Sequence, residues 1–434
     1  PDASKPTTTV NITYLVGSRH ENYGETGMAH LLEHMVFKST TSRSNIFEDL
    51  GKRGMDFNGT TSYDRTNYYE TFPANAENLK WALEMEADRM VNCLITRKDL
   101  DTEFSVVRNE MESGENSPIR TLWQRMTAAA FDWHNYGKST IGARSDVENV
   151  KIENLQNFYR KYYQPDNAVL LVAGKFDPTS TLEQIQKAFG GIAKPTRVLE
   201  PTYTQDPVQD GEREVTIRRT GDTQISAVFY HTPRGSHEDS GAVAALSEVF
   251  ASTPNGRLHK NLVEKKLAVS IMNLNMGLAE GGYVLFFAEL NKTQSLQQAR
   301  LALLQELEGL REKPVTEEEL KRAKDSLLSE IDSIINDPQQ LAVQLSESIA
   351  KGDWRLFFLQ RDRIENLKLA DLQSAGLNYF KESNRTLGQF IPTATPDRIK
   401  MPEAVDVAKL VADYKGKAAA SEGEVFDISP ANIE

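Results

Sequence analysis

A proline-rich stretch divides the chain and constrains its fold more than any other feature. Residues 194–212 contain Pro195, Pro201, Pro207 and Gly211 among scattered polar residues, a composition typical of a linker. Strand-like alternation followed by helical periodicity occurs on both sides of it. At roughly 100–200 residues per domain, two domains fit the length of the chain. We therefore predict a domain over 1–195, a linker over 196–212, a second domain over 213–395 and a further linker over 396–434.

The two halves share a faint similarity of pattern. Val10, Ile12 and Tyr14 alternate with polar residues and predict a strand, and the run from Met28 to Val36 has helical periodicity. After the linker, we expect strands at 214–218, 224–231 and 281–290, and helices at 239–251, 256–266 and 316–350. An internal duplication and a merely shared composition explain the similarity equally well. Either way, the fold class is α+β, with two similar domains.

Composition excludes several classes of protein. The 50 basic and 62 acidic residues give a formal net charge of −12, which disfavours nonspecific nucleic-acid binding. No run approaches the ~18 apolar residues of a membrane helix, so no membrane span is expected. Cys93 is the single cysteine, which rules out an intrachain disulfide and a Cys-rich metal site. The sequence opens at Pro1 without a signal peptide, so we expect a cytosolic protein or one that has lost such a segment.

The segment His30-Leu31-Leu32-Glu33-His34 predicts a metal site. At about 100° per residue, His30, Glu33 and His34 share one stripe of a helix, and the apolar residues share the opposite stripe. Two imidazoles one turn apart have the spacing of zinc ligands, and a glutamate beside them can reach a bound water. The alternative is a pair of surface histidines that flank a glutamate.

A helix predicted over 97–113 offers the third ligand that a catalytic zinc requires. Glu103 and Glu110 are separated by about two helical turns and lie beside its apolar stripe. Carboxylates at the border of a buried face are costly to desolvate unless they bind a metal ion or another partner. Solvated residues at the rim of the helix are the alternative.

Together these pieces resemble the pitrilysin/insulinase family of zinc peptidases, the inverzincins. The family pattern is H-x-x-E-H followed, after a long gap, by E-x6-E, and the distance from His34 to Glu110 matches that gap. The resemblance implies that His30, His34 and Glu110 bind zinc, that Glu33 is the catalytic base, and that Glu103 orients a ligand histidine. It also implies a mainly antiparallel sheet packed against helices in each domain.

The same resemblance implies a substrate-binding strand. Asn58, Gly59 and Thr60 match the edge strand that receives the substrate backbone as an additional strand. An ordinary strand, with a glycine where another backbone approaches closely, is the alternative.

The second half departs from the family pattern. Val263 and Val269 stand where an arginine and a tyrosine that contact substrate at the facing zinc are expected. The helix at 239–251 contains no second H-x-x-E-H, so we expect no metal in the second domain. The tail resembles the linker that joins the two halves of long bacterial family members. We therefore expect a second pitrilysin-like half, in the same polypeptide or a partner subunit, to supply the arginine and tyrosine.

The predicted function is a zinc metalloendopeptidase with one Zn²⁺ per chain. It would hydrolyse peptides or small unfolded proteins through Glu33-assisted attack of a zinc-bound water. Two alternatives remain: a noncatalytic scaffold or processing subunit of a pitrilysin-like heteromer, and a zinc hydrolase of nonpeptide substrates. The expected location is the bacterial periplasm, with the cytoplasm as the alternative.

Overall fold

The strand predicted at Val10 lies inside a four-stranded antiparallel sheet. In the computed structural model, which describes residues 1–417, 423 and 427–432, this sheet has the order β2-β3-β1-β4. Its strands are β1 Thr7–Tyr14, β2 Asp56–Thr61, β3 Thr66–Pro73 and β4 Ala168–Gly174. β2 is an edge strand, and no strand of the described residues pairs with its outer side.

The second half of the chain builds a five-stranded sheet of order β5-β9-β6-β8-β7. Its strands are β5 Arg213–Arg219, β6 Thr223–Thr232, β7 Ser270–Gly277, β8 Gly282–Asn291 and β9 Arg385–Pro392. All of its pairings are antiparallel except β5 with β9. Two mainly antiparallel sheets packed against helices confirm the predicted α+β class.

Helices cover both sheets and connect their strands. They are α1 Met28–Met35, α2 Ile46–Lys52, α3 Ala76–Asn92, α4 Arg97–Glu115, α5 Pro118–Ala130, α6 Arg144–Asn149, α7 Ile152–Tyr162, α8 Pro178–Phe189, α9 Ser240–Ala251, α10 Leu296–Glu308, α11 Glu317–Asn336, α12 Pro338–Ala350, α13 Leu356–Asn366, α14 Leu369–Tyr379 and α15 Val407–Val411. None of the helices in the described part of the chain has the length and apolarity that a membrane crossing requires.

Two of the helical predictions after the linker are wrong in detail. The single helix expected over 316–350 is two helices, because Pro338 cannot continue α11 and Asp337 instead caps α12 by accepting hydrogen bonds from the amides of Gln339 and Gln340. The helix expected over 256–266 is shorter and contains a π-helical turn, His259–Val263, after which Lys266 adopts a φ of +60°.

Each half of the chain sends one helix onto the sheet of the other half. α5 packs against the second sheet, where Leu122 and Met126 join the core of Ile225 and Phe229. α12 packs against β1 and β4 of the first sheet. Residues 1–394 accordingly form one compact unit.

Residues 395–434 form a separate unit whose described part contains the short helix α15. The predicted linker over 396–434 falls partly on residues outside the described ranges. The division at 195, 212 and 395 stays a prediction.

Candidate metal centre

The helix that carries the H-x-x-E-H segment is anchored at its first turn. Gly27, with a φ of +88°, precedes α1, and a Cβ there would lie 2.5 Å from the carbonyl oxygen of Ile141. The buried carboxylate of Glu21 accepts hydrogen bonds from the amides of Gly27 and Ala29, at 3.0 and 2.8 Å. Burial raises the pKa of Glu21 to about 8, against the effect of these two amides. The start of α1 is therefore fixed by both a glycine and a buried cap.

α1 is amphipathic as its sequence predicts. Leu31, Leu32 and Met35 are buried in the core of the first half. His30 and His34 lie on the opposite stripe, and both are partly exposed. Since the apolar stripe fixes the rotation of the helix, both imidazoles point away from the core toward α4.

The three predicted ligands come together at this face. The Nε2 atoms of His30 and His34 lie 3.6 and 3.7 Å from Oε2 of Glu110. One ligand atom from each of the three residues lies within 4.8 Å of the others. In a tetrahedral zinc site with bonds of about 2.1 Å, ligand atoms are roughly 3.4 Å apart. Small side-chain movements would therefore bring all three into contact with one ion.

The donor set suits zinc in its chemistry as well as its spacing. Burial, followed by the neighbouring His34, lowers the pKa of His30 to about 4, so its imidazole is neutral at pH 7, as a metal ligand must be. Its Nδ1 is buried and has no hydrogen-bond partner among the described residues. Two neutral imidazoles and one carboxylate are the protein ligands of a known class of catalytic zinc site. His30, His34 and Glu110 are therefore suited to bind a zinc ion.

Glu103 contacts the ring nitrogen of His34 that does not face Glu110. Its Oε2 lies 3.1 Å from Nδ1 of His34, and its other oxygen forms an ion pair with Lys38. A proton on Nδ1 donated to this carboxylate leaves the lone pair of Nε2 directed at the three-ligand cluster. This is the orienting position that the resemblance implied for Glu103.

Glu33 is buried beside the cluster. Burial raises its pKa, and a hydrogen bond donated by the Thr61 hydroxyl works in the opposite direction. The backbone of β2 passes close to this side chain, since a Cβ on Gly59 would lie 2.9 Å from Cγ of Glu33. The sequence pattern assigns Gly59 to the substrate strand, but it gives Thr61, which directly follows Thr60, no role beside Glu33.

The predicted substrate strand is held from behind by a charged side chain. Asn58, Gly59 and Thr60 lie in the edge strand β2, paired only with β3 among the described strands. Arg65 is buried and donates to the carbonyl oxygen of Thr60, at 2.7 Å, and to its hydroxyl. The same guanidinium forms an ion pair with Glu347 on α12. The second half of the chain thus braces the strand, a contact that no local sequence pattern could reveal.

The two valines that depart from the family pattern lie outside the candidate metal centre. Val263 ends the π-helical turn, and Val269, just before β7, is 54% exposed. Among the described residues, neither of them lines the cavity beside His30 and Glu110.

Comparison with known proteins assigns the family. Residues 1–144 match the family model described as insulinase, peptidase family M16, and residues 149–327 match the model of the M16 peptidase inactive domain. The zinc protease PqqE of Helicobacter pylori is 31% identical over 386 residues, which cover 87% of this chain and 86% of the relative. The chain belongs to the insulinase family of peptidases. The resemblance drawn from the sequence is confirmed.

Solved structures share the fold of this insulinase-family chain. The crystal structure of a protease from Helicobacter pylori matches with a TM-score of 0.84 at 28% identity, over 90% of this chain and 96% of that one. The periplasmic protease PqqL of Escherichia coli matches with a TM-score of 0.73 at 20% identity. That second match covers 99% of this chain but 50% of PqqL. Chains of this fold therefore occur at about the present length and as part of a much longer chain.

Proposed function

We propose that this protein is a zinc metalloendopeptidase of peptides or small unfolded proteins. His30, His34 and Glu110 hold one Zn²⁺, and Glu33 is the catalytic base. The observation that carries the proposal is the convergence of three candidate ligand atoms within 4.8 Å beside a buried glutamate, Glu33, that lies outside this cluster. Relatives named as zinc proteases support the same reading.

The residues of the chain divide the chemistry among them. Bound zinc supplies a Lewis acid that lowers the pKa of water and polarises a carbonyl. Glu33 accepts the proton of the attacking water and passes it to the leaving amine. Its raised pKa brings it closer to the pH of operation than an exposed glutamate, and the Thr61 hydroxyl fixes one carboxylate oxygen. Glu103 keeps His34 in the tautomer that can bind metal.

The edge strand orients the substrate. A peptide that adds to the outer side of β2 places its backbone alongside Asn58, Gly59 and Thr60. Because Gly59 has no side chain, the backbone of β2 lies close to Glu33, so a peptide paired with β2 would lie beside this carboxylate. Since main-chain hydrogen bonds supply this part of the binding, the strand itself selects extended segments and not a particular side chain.

A second pitrilysin-like half is part of the proposal. Val263 and Val269 offer neither charge nor hydroxyl, so the arginine and tyrosine that would hold the substrate carbonyl must come from another half, whether covalently joined or a separate subunit. The match to half of PqqL agrees with this arrangement. The loss of one such donor typically slows an enzyme ~10²–10³-fold, so the chain alone should cleave slowly. PqqL is a periplasmic protease, which favours the bacterial periplasm as the location of this protein.

Mass spectrometry of peptide digests tests the function. A mixture of unstructured peptides is incubated for many hours with zinc-loaded protein and, as the matched control, with Glu33→Gln. New peptide termini that appear with the wild type alone are the expected result. If zinc is bound and no bond is cleaved, the protein is instead a noncatalytic scaffold or processing subunit. Cleavage of ester or amide compounds without any cleavage of peptides would favour a hydrolase of nonpeptide substrates.

A further inference from the structure

A cavity of about 420 Å³ opens beside two of the three candidate zinc ligands. His30 and Glu110 form one side of it, and the residues that directly follow the substrate strand form another. Its apolar lining comes from Met111, Trp123, Ile141 and Met276. A cavity of this size, next to the edge strand and the ligands, can hold the side chain of a substrate residue beside the scissile bond.

Most polar groups of this cavity already have partners within the protein. Gln124 donates to the hydroxyl of Ser139 at 3.1 Å, and Trp123 donates its indole N–H to Tyr283 at 3.0 Å. The Thr61 hydroxyl is bound to Glu33. These groups shape the cavity, but they offer little to distinguish one substrate side chain from another.

Arg120 is the exception. It lies in the first turn of α5, is exposed, and is the one lysine or arginine among the residues that line the cavity. Its guanidinium forms no ion pair or hydrogen bond with any residue in the described part of the chain. Glu110 is the one carboxylate in the lining, and the proposed function assigns it to the metal. Arg120 therefore presents an unpaired positive charge to whatever enters the cavity.

We infer that Arg120 selects substrates with an acidic side chain next to the scissile bond. This inference rests on the proposed function, because the cavity borders the proposed zinc ligands. The apolar lining accommodates the methylene groups of a glutamate, and the guanidinium pairs with its carboxylate. Because the pair remains partly open to solvent, its effect is modest, about threefold to fivefold in kcat/KM relative to an uncharged isostere.

Matched peptides test this selectivity. Two pairs of peptides differ only by Glu or Gln at one of the two positions that flank the cleaved bond, so each pair differs by one charge. The ratio of kcat/KM for Glu over Gln should be about three to five in the wild type at one position. It should fall to about one in Arg120→Gln and below one in Arg120→Glu. The latter substitution suits the fold, since Ser117 already caps the amide of residue 120 and an acidic side chain is favourable in the first turn of a helix.

Arg125→Glu is the matched control. It makes the same charge change at another exposed position of the same helix, but residue 125 does not line the cavity. Its Glu/Gln ratio should equal that of the wild type. Equal ratios in the wild type, Arg120→Glu and Arg125→Glu would overturn the inference.

Binding separates this inference from the proposed function. The same peptides are titrated onto the zinc-loaded Glu33→Gln variant, with and without Arg120→Glu, and followed by fluorescence anisotropy. Tighter binding of the Glu peptide that depends on Arg120, without cleavage by the wild type, would uphold the selectivity and contradict the peptidase. Peptide cleavage whose Glu/Gln ratio does not depend on Arg120 would uphold the peptidase and contradict the selectivity.

Discussion

The two halves place a helix at the same point of a similar plan and use it differently. α1 follows the central strand β1, and α9 follows the central strand β6. α1 buries one stripe and leaves His30 and His34 partly exposed. α9 is buried at nine of its 12 residues and contacts α11, α13 and α14. Each helix therefore keeps one partly exposed stripe, since α1 is buried at six of its eight residues and Ser240, Ala244 and Glu248 of α9 are only partly buried.

The two stripes differ in the residues that they carry and in the groups that they face. On α9 the stripe has no imidazole, and its polar side chains bond to neutral groups: Ser240 to Gln360 of α13, and Glu248 to Ser326 of α11. On α1 the partly exposed stripe meets α4, whose Glu110 and Glu103 contact the two histidines. The second half contributes instead to the position of β2, because its Glu347 forms an ion pair with Arg65, which is bonded to that strand.

The largest expected effect comes from Glu33, the proposed base beside the two histidines of α1. Glu33→Gln keeps the size of the side chain and can still accept the hydrogen bond from Thr61, but an amide cannot take up a proton. Turnover should fall ~10²–10⁴-fold while the protein stays folded and keeps its zinc. Initial rates with a fluorogenic peptide measure the effect, and a variant with near-wild-type turnover would rule Glu33 out as the base.

The next effect concerns the carboxylate behind His34. Glu103→Ala removes the group that orients the imidazole, so zinc affinity should fall about 10–100-fold. Competition with a fluorescent chelator measures it. Glu112→Ala is the control, because Glu112 is an exposed carboxylate on the same helix, outside the three-ligand cluster. An equal loss in both variants would mean that Glu103 acts only through helix stability.

A smaller effect should follow from the loss of the Thr61 hydroxyl. Thr61→Val keeps the β-branched shape but leaves one oxygen of Glu33 without its donor, so kcat should fall about tenfold with little change in KM. Thr61→Ser should restore most of the rate. Thr71→Val, which removes a hydroxyl contact with Thr9 in the same sheet, should leave kcat unchanged. A failure of serine to rescue would contradict the positioning role.

The smallest expected effect is on stability, and it comes from a residue of the second half. Partial burial alone would raise the pKa of Glu319, but hydrogen bonds from Arg257 and Thr316 outweigh it and lower the pKa to about 2. A carboxyl whose pKa is lower in the folded state stabilises the fold above its unfolded pKa near 4.5. This contribution is lost as the pH falls toward 2.

Glu319→Gln should therefore destabilise the protein by on the order of 1 kcal/mol at pH 7, after screening by solvent, and by less near pH 3. Urea unfolding at the two pH values measures the difference. Zinc content should not change, because the site lies in the first half. A loss of zinc in this variant would contradict the division of roles between the halves.

Local patterns predicted the parts of the site that lie close together in the sequence. The H-x-x-E-H segment and the spacing of Glu103 and Glu110 were visible because helical periodicity places residues on faces. The match of His34 to Glu110 across a long gap required the family pattern, since no local rule states which helices pack together.

The missed residues act across long separations. Glu347 reaches Arg65 from a helix that the second half places on the first sheet, and Thr61 reaches Glu33 from the neighbouring strand. Glu21, which caps α1, lies in a loop that reads as an ordinary polar turn. Strands β7 and β9 were missed as well, although Met272, Leu274 and Met276 of β7 alternate with two asparagines in the pattern that predicts a strand.

Metal content tests the central claim most directly. Wild type, Glu33→Gln, His30→Ala and Glu110→Ala are purified after dialysis against zinc-free buffer, checked for folding by circular dichroism and analysed by plasma mass spectrometry. The wild type and Glu33→Gln should each retain about one zinc per chain, and the other two variants should retain almost none. A folded Glu110→Ala or His30→Ala protein that keeps its full zinc content would contradict the site.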